Sequence, residues 1–431
     1  MTFISSPGTT PIAEILPSDT MTNFKHPGGP IRVLHLINDL SVGGAEMMLY
    51  RLLSQKRRDR FDSVVLSLMD QGSLRQRIED LGIPVYTARM QAGMATPASI
   101  WRLIRLVRKI KPDLIQGWLY HGSLVAQFAA MFVPNKAPVI WGIHSSTYSL
   151  SLDKKMTAIV VRLCAPLSKL ASSIVFVSRT SQSQHKAKGY CTENSCVIPN
   201  GIDTTLFAPS NEARVSVRAE LGLSTDALLI GVIGRYHPMK DHENFLRAAG
   251  QISKRYGEAH FLLAGRRVDE DNCALLELIQ ELKLDQHVHL LGERTDIARL
   301  AAALDILCLS SCYGESFPTI VGEAMSCAVP CVVTNVGDSA WMVGDTGRFV
   351  SPRDTGSLAA ACEEFLKIGP AGRQALGAAA RARVTELFSL SSVVARYEEL
   401  YENSIATAAR EGKSSEMAYE GLTGVSLDKN A

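Results

Sequence analysis

Short apolar runs alternate along this chain with longer stretches whose apolar residues recur at helical spacing, the pattern of a doubly wound parallel sheet. The alternation occurs twice. In the first half it predicts strands at residues 31–37, 63–68, 84–87, 114–116, 139–143, 174–177 and 196–198. In the second half it predicts strands at 228–233, 260–264, 288–290, 306–309, 330–334 and 348–350. Between the two sets, Pro199-Asn-Gly-Ile-Asp-Thr-Thr-Leu-Phe-Ala-Pro209 is turn-rich and bracketed by prolines, and reads as an interdomain hinge. The fold class predicted is α/β, with two Rossmann-like domains facing across a cleft. The first spans residues 31–205, completed by a helix at 389–406, and the second spans 212–388. Ligands of such open sheets bind beyond the C-terminal ends of the strands. Residues 1–30 and 408–431 lack periodicity and are expected to be disordered tails.

At 431 residues the chain is too long for one typical core, in keeping with two domains. A formal net charge of +2 gives no bulk electrostatic case for nucleic acid. No apolar run approaches the ~20 residues that span a bilayer. Nine cysteines scattered through apolar segments, with no secretory apolar stretch at the start, point to a reducing, cytoplasmic setting. Cys308, Cys312, Cys327 and Cys331 form two pairs with three residues between members, which invites a zinc reading. Structural zinc pairs sit on ligand-rich turns, whereas Cys308 and Cys331 lie in strand-like runs, so the reading is set aside.

Candidate chemistry concentrates in Glu315-Ser-Phe-Pro-Thr-Ile-Val-Gly-Glu323, two carboxylates with seven residues between them. Glu315 falls in the loop leaving the strand 306–309, while Glu323 falls on a helix opening at Pro318, since Pro favours a helix's first turn. Thr319 and Glu323 are four apart and share a helix face. Free amides of that first turn favour a phosphate. Taken alone, the segment is better explained as a solvated loop glutamate and a surface helix glutamate. The second domain's first strand runs into a loop carrying Arg235 and Lys240, a planar fork and a mobile point charge suited to a diphosphate. In the first domain, Gly43 and Gly44 permit close backbone approach to an anion. The three-glycine dinucleotide fingerprint is missing, which argues against NAD. His144 ends the strand 139–143, where its imidazole either meets a sugar hydroxyl or serves the structure.

Taken together, these residues resemble the retaining, nucleotide-sugar-dependent glycosyltransferases of family four, the group 1 glycosyltransferases with the two-Rossmann GT-B fold. The resemblance spans about residues 31–401. Its most specific parts are the Glu315 to Glu323 segment and the Gly234-Arg235 to Lys240 loop. Gly43-Gly-Ala-Glu46, Pro199-Asn-Gly-Ile-Asp203 and Asp345-Thr-Gly347 support it. It implies that Arg235 and Lys240 bind the donor diphosphate, Glu323 the ribose hydroxyls, and Glu315 the donor sugar near its reacting carbon. Phe317, Pro318 and Thr319 would line the donor site, His144 would touch the sugar, and Gly43 and Gly44 would line the phosphate or acceptor side. The implied catalytic set is Glu315, His144, Arg235 and Lys240. No metal or other cofactor is implied. Three positions depart from the family pattern: Ser316 where Gly is frequent, Ala328 where Gly commonly ends the helix, and Trp341 where an acid is usual. Ala disfavours a left-handed cap, so an altered helix end is expected there.

The function implied is sugar transfer from a UDP- or GDP-sugar to a saccharide or lipid-linked saccharide acceptor, as in bacterial surface polysaccharide synthesis. A non-catalytic nucleotide-sugar sensor and a phosphorylase-like two-Rossmann enzyme are the alternatives. The helix at residues 100–110 has apolar positions at 100, 103, 104 and 107 with cations around the remainder. It either packs on the sheet or lies on an anionic membrane, which would make the protein peripheral at the inner face of the cytoplasmic membrane.

Overall fold

The computed structural model describes residues 29–70, 72–91, 95–133, 137–146 and 155–423. Two wholly parallel sheets organise it. The first contains β1 (Ile31–Ile37), β2 (Phe61–Ser67), β3 (Val85–Thr87), β4 (Leu114–Trp118), β5 (Val139–Ile143), β6 (Ser173–Phe176) and β7 (Ser195–Val197), in the order 3-2-1-4-5-6-7. The second contains β8 (Leu228–Ile233), β9 (Ala259–Ala264), β10 (Val288–Leu290), β11 (Ile306–Leu309), β12 (Cys331–Thr334) and β13 (Arg348–Val350), in the order 10-9-8-11-12-13. Each predicted strand is found, shifted at its ends by no more than a few residues.

The strands read as near-continuous apolar runs because helices cover both faces of each sheet. In β1, Val33 and Ile37 face one buried cluster while Leu34 and Leu36 face another. The second sheet divides likewise, with Leu229 on one face and Ile230 and Val232 on the other. Each such fully buried side chain contributes about 1.5–3 kcal/mol relative to exposure.

Both sheets reverse strand order beside their first strand, between β1 and β4 and between β8 and β11. These switch points open crevices at the strands' C-terminal ends. The loops issuing there carry Gly43, Arg235, Lys240 and Glu315, and Gly44 opens the helix that follows the first of them.

The chain crosses between the domains twice, and the crossings are bonded together. Ile202 N donates to Phe388 O at 2.9 Å and Leu390 N to Ile202 O at 2.8 Å. The helix Leu390–Thr423 then returns to the first domain, placing Val393, Tyr397 and Tyr401 in the same cluster as Ile31 and Leu114. The expected tail from residue 408 is thus corrected as far as Thr423, where the helix continues. Ala, Arg, Glu, Lys and Met, all good helix formers, populate that stretch. The expected tails at 1–28 and 424–431 lie outside the described residues.

Candidate active site

Glu315 sits in the loop after β11, and Lys240 Nζ donates to its Oε1 at 2.6 Å. Ser311 Oγ donates to the same oxygen, also at 2.6 Å. Backbone geometry brings the two loops together: Ser310 Oγ donates to Lys240 O at 2.7 Å and Cys312 N to Met239 O at 2.8 Å. Lys240 closes a short 3-10 turn, Pro238–Lys240, so its side chain is directed across the crevice toward β11. Arg235, in the same loop, is exposed.

The Glu315 loop is held from behind by a glycine that a larger residue could not replace. Gly337 has φ +61°, and a Cβ there would lie 2.5 Å from Glu315 O. Asp338 N donates to Ser316 O at 3.0 Å, fixing the approach. Phe317 and Pro318 are buried, and Pro318 takes the N-cap position of the helix Thr319–Ser326. Thr319 and Ile320 therefore present first-turn amides that have no acceptor within the helix.

Glu323, one turn further, is 7% exposed. Burial raises its carboxyl pKa, and Arg51 opposes that rise. Arg51 belongs to the first domain, on the helix Gly44–Gln55, and its Nη2 lies 3.1 Å from Glu323 Oε1. Gly43 precedes that helix as an extended N-cap, with the Glu46 carboxylate folded against it. The glycine pair, the cationic loop and the two glutamates thus occupy the edges of one interdomain crevice.

His144 follows β5 as expected. Its ring stacks on Trp118, with centroids 4.9 Å apart, and Nδ1 lies 3.3 Å from Asn200 Oδ1. With Nδ1–H donating to Asn200, Nε2 is the unprotonated nitrogen. That atom is enclosed beside Gly142 and has no hydrogen-bond partner among the described residues. Burial lowers the His144 pKa to about 4, so the ring is neutral at ordinary pH. In this conformation the imidazole turns toward the first domain's core, and neither nitrogen is free in the crevice.

Three groups that sequence reasoning missed join the domains here. Asp338, buried, accepts from Arg179 N at 2.7 Å, Thr180 N at 2.9 Å and Thr180 Oγ1 at 2.6 Å. It thereby caps the helix Arg179–Lys186 of the opposite domain. Ser146 Oγ donates to Gly314 O at 3.1 Å, and Ser178 Oγ pairs with Ser316 Oγ at 2.8 Å. Two departures from the family pattern acquire a physical role at this seam. Ser316 supplies one of its hydrogen bonds, and Trp341 receives the Arg179 guanidinium over its ring at 4.5 Å.

The third departure, Ala328, leaves the helix end unchanged in geometry. Ala328 adopts the left-handed conformation itself, at φ +59°, so the expectation of an altered end is corrected. Of the four cysteines, Cys308 packs on one face of the second sheet, 3.4 Å from Cys362 Sγ, and Cys331 on the other. They do not converge.

Two family models match the chain. One described as "Glycosyltransferase Family 4" covers residues 42–206, and one described as "Glycosyl transferases group 1" covers residues 227–367. The chain is 26% identical over 321 residues to the putative glycosyltransferase EpsF of Bacillus subtilis, covering 70% of this chain and 79% of that protein. It is 25% identical over 311 residues to an N,N'-diacetylbacillosaminyl-diphospho-undecaprenol alpha-1,3-N-acetylgalactosaminyltransferase of Campylobacter jejuni, covering 69% and 80%. Among solved structures, HepE of Anabaena, crystallised in complex with UDP, superposes with a TM-score of 0.75 at 23% identity. That alignment covers 86% of this chain and all of HepE, and it shows a shared fold. The family models, these relatives and the two facing Rossmann-like domains establish that the chain belongs to the group 1 glycosyltransferases, with the GT-B fold.

Proposed function

We propose that this glycosyltransferase moves a sugar, with retention, from a UDP- or GDP-sugar to a saccharide or lipid-linked saccharide acceptor in bacterial surface polysaccharide synthesis. The observation that carries the reading is the bond from Lys240 to Glu315, which puts a cation and a carboxylate together at a strand C-terminal crevice. Similarity to an N-acetylgalactosaminyltransferase whose name gives a diphospho-undecaprenol-linked sugar as acceptor supports a lipid-linked saccharide, and a neighbour complexed with UDP and glucose supports a uridine nucleotide.

In this reading Arg235, Lys240 and the Thr319 helix terminus face the donor diphosphate, Glu323 takes the ribose diol, and Glu315 meets the sugar. Phe317 and Pro318 wall the donor side. Gly43 and Gly44 admit the phosphate or acceptor, and His144 contacts the sugar once its ring turns outward. The bond from sugar C1 to the phosphate oxygen breaks, and its electron pair leaves with the nucleoside diphosphate. The acceptor oxygen bonds C1 from the same face and its proton passes to the departing phosphate. Charge growing on that phosphate is the quantity to stabilise, and each well-placed donor is worth roughly 3 to 4 kcal/mol. The cationic side chains supply the charge that a divalent ion supplies elsewhere, so transfer proceeds without a metal.

A cytoplasmic protein peripheral at an anionic bilayer fits the first domain's surface. The helix Pro97–Ile110 turns Leu103, Val107 and Ile110 inward, so its apolar face is taken by the core. Trp101 on its outer face is exposed, as are Phe128, Met131, Ile159, Leu163, Leu167 and Leu170 on the segments that follow. Arg105, Arg108, Lys109, Arg162 and Lys169 are exposed around them. The helices Pro97–Ile110, Leu119–Ala130 and Lys155–Leu167 contain no acidic residue. Among the described residues no helix is long and apolar enough to cross a membrane.

A thermal-shift screen against UDP-, GDP- and ADP-sugars, followed by assay of nucleoside diphosphate release with EDTA present, tests the reading. Stabilisation by one nucleotide sugar and release dependent on a saccharide acceptor are expected. Stabilisation without release for any acceptor would favour the sensor.

A further inference from the structure

Glu323 is buried, yet the group that answers its charge comes from the other domain. Arg51 Nη2 lies 3.1 Å from Oε1, while Nη1 of the same guanidinium donates to Gly201 O at 3.3 Å. Gly201 belongs to the segment in which the chain first crosses between domains, one residue before the Ile202 bridge to Ser389. A single guanidinium thus spans the ribose-side carboxylate and the hinge. Among the described residues no group bonds Glu323 Oε2, so that oxygen is left for a ligand.

A ribose diol presents two hydroxyl donors, and a carboxylate accepts from both where a protonated carboxyl does not. Burial favours the protonated form, and an opposite charge within bonding distance favours the ionised one. Arg is suited to the second task because it stays charged and its planar fork fixes two acceptors at once. The other titratable groups beside the pair do not replace it. The Cys327 thiol is pushed up to about 12 by burial and stays neutral. The Asp203 carboxyl, which burial would raise, is held below its usual range by bonds from Thr205 and Leu206, with Arg51 adding to the effect.

We infer that Arg51 is a positioning residue which keeps Glu323 ionised and aimed at the nucleotide ribose, so that ribose recognition depends on the arrangement of the two domains seen here. The inference rests on the reading of Glu323 as the ribose ligand. The Arg51 pair forms only when the helix Gly44–Gln55, the hinge carbonyl and the helix Thr319–Ser326 stand as they do here.

Titration calorimetry with UDP and GDP, each beside its 2′-deoxy counterpart, separates the possibilities in the full chain and its Arg51→Gln, Arg51→Lys and Glu323→Gln variants. Glu323→Gln should erase the preference for the ribonucleotide. Arg51→Gln should weaken ribonucleotide binding about tenfold near pH 6 and less near pH 8, because burial without the opposing charge shifts the carboxyl toward its protonated form. Arg51→Lys should recover most of the preference, and it carries the test if the glutamine variant fails to fold. If Glu323→Gln erases the preference while Arg51→Gln keeps wild-type affinity at both pH values, the role of Arg51 is overturned and the ribose reading survives. If Glu323→Gln leaves the preference intact, or neither nucleotide binds, both fall.

Discussion

Lys240 and Glu315 form an ion pair at 2.6 Å with side chains only 15% and 10% exposed. Removing one partner of such a pair leaves the other charge poorly solvated, at a cost of up to about 3–5 kcal/mol. Lys240→Ala should therefore lower turnover by orders of magnitude and also lower the melting temperature. The two effects can be separated. A Lys240→Met, Glu315→Gln double variant removes both charges and should regain most of the lost stability while remaining inactive. Near-normal transfer in either variant would sink the assignment of the site.

Asp338 links the domains through three bonds to the start of the helix Arg179–Lys186. Loss of a capping side chain costs about 1 kcal/mol, and here the loss falls on the contact between the domains. Asp338→Ala should increase the radius of gyration in solution scattering and raise hydrolysis of the donor by water in the absence of acceptor, since closure excludes water. Unchanged scattering and hydrolysis would show that other contacts hold the seam.

Ala328 bears a left-handed conformation that glycine adopts freely, at a penalty of roughly 1–2 kcal/mol. Ala328→Gly should raise the melting temperature by about 2–4 °C. Gly377 packs directly on the Ala328 carbonyl, so Gly377→Ala forces overlap with that oxygen and should act in the opposite direction, more strongly. Thermal unfolding of the two variants gives both signs in one experiment.

The strands were legible because parallel sheets buried on both faces must be apolar throughout, and apolar runs survive in any sequence. The loops carrying Lys240 and Glu315 were legible because they issue from strand ends at fixed places. Asp338 was not. By local rules it is the N-cap of its own helix, Ser339–Val343, yet its side chain makes no bond there and caps a helix of the other domain. Arg51 was hidden for the same reason, as a cation on a helix whose partner lies 272 residues away in sequence. His144 was placed correctly on the chain, but the direction of its ring is set by Trp118 and Asn200, which only tertiary packing brings beside it.

Burial lowers His144, His185 and His242 to about 4 each, against an ordinary value of 6.5. Between those values the unfolded chain binds protons that the native state does not, so stability falls as pH drops from 6.5 toward 4 and is insensitive to these groups above 7. The urea midpoint should hold steady from about pH 7 to 8 and decline below about 6.5. His185, whose Nε2 lies 2.8 Å from Tyr120 Oη, offers a control. His185→Gln removes one contributor and should flatten the decline. An acid limb of unchanged steepness would assign the loss to other groups.

The proposed membrane contact would rest on residues that sequence periodicity did not single out. Ile159, Leu163 and Leu167 recur every four residues on one helix face and are exposed, with Leu163 at 55%. Arg162 and Lys169 flank them. Apolar side chains inserted at the headgroup boundary and cations outside it add their contributions, and each basic residue near an anionic surface is worth about 1 kcal/mol. Co-sedimentation with vesicles containing phosphatidylglycerol should exceed that with phosphatidylcholine alone. A Leu163→Asp, Leu167→Asp variant should lose binding to both. A neutral triple variant at Arg102, Arg105 and Lys109 should weaken binding only to the anionic vesicles, because its change is electrostatic. Equal sedimentation of wild type and the Leu163→Asp, Leu167→Asp variant would remove this face from the membrane, and a concentration-dependent rise in mass for the wild type alone would make it a contact between copies of the chain.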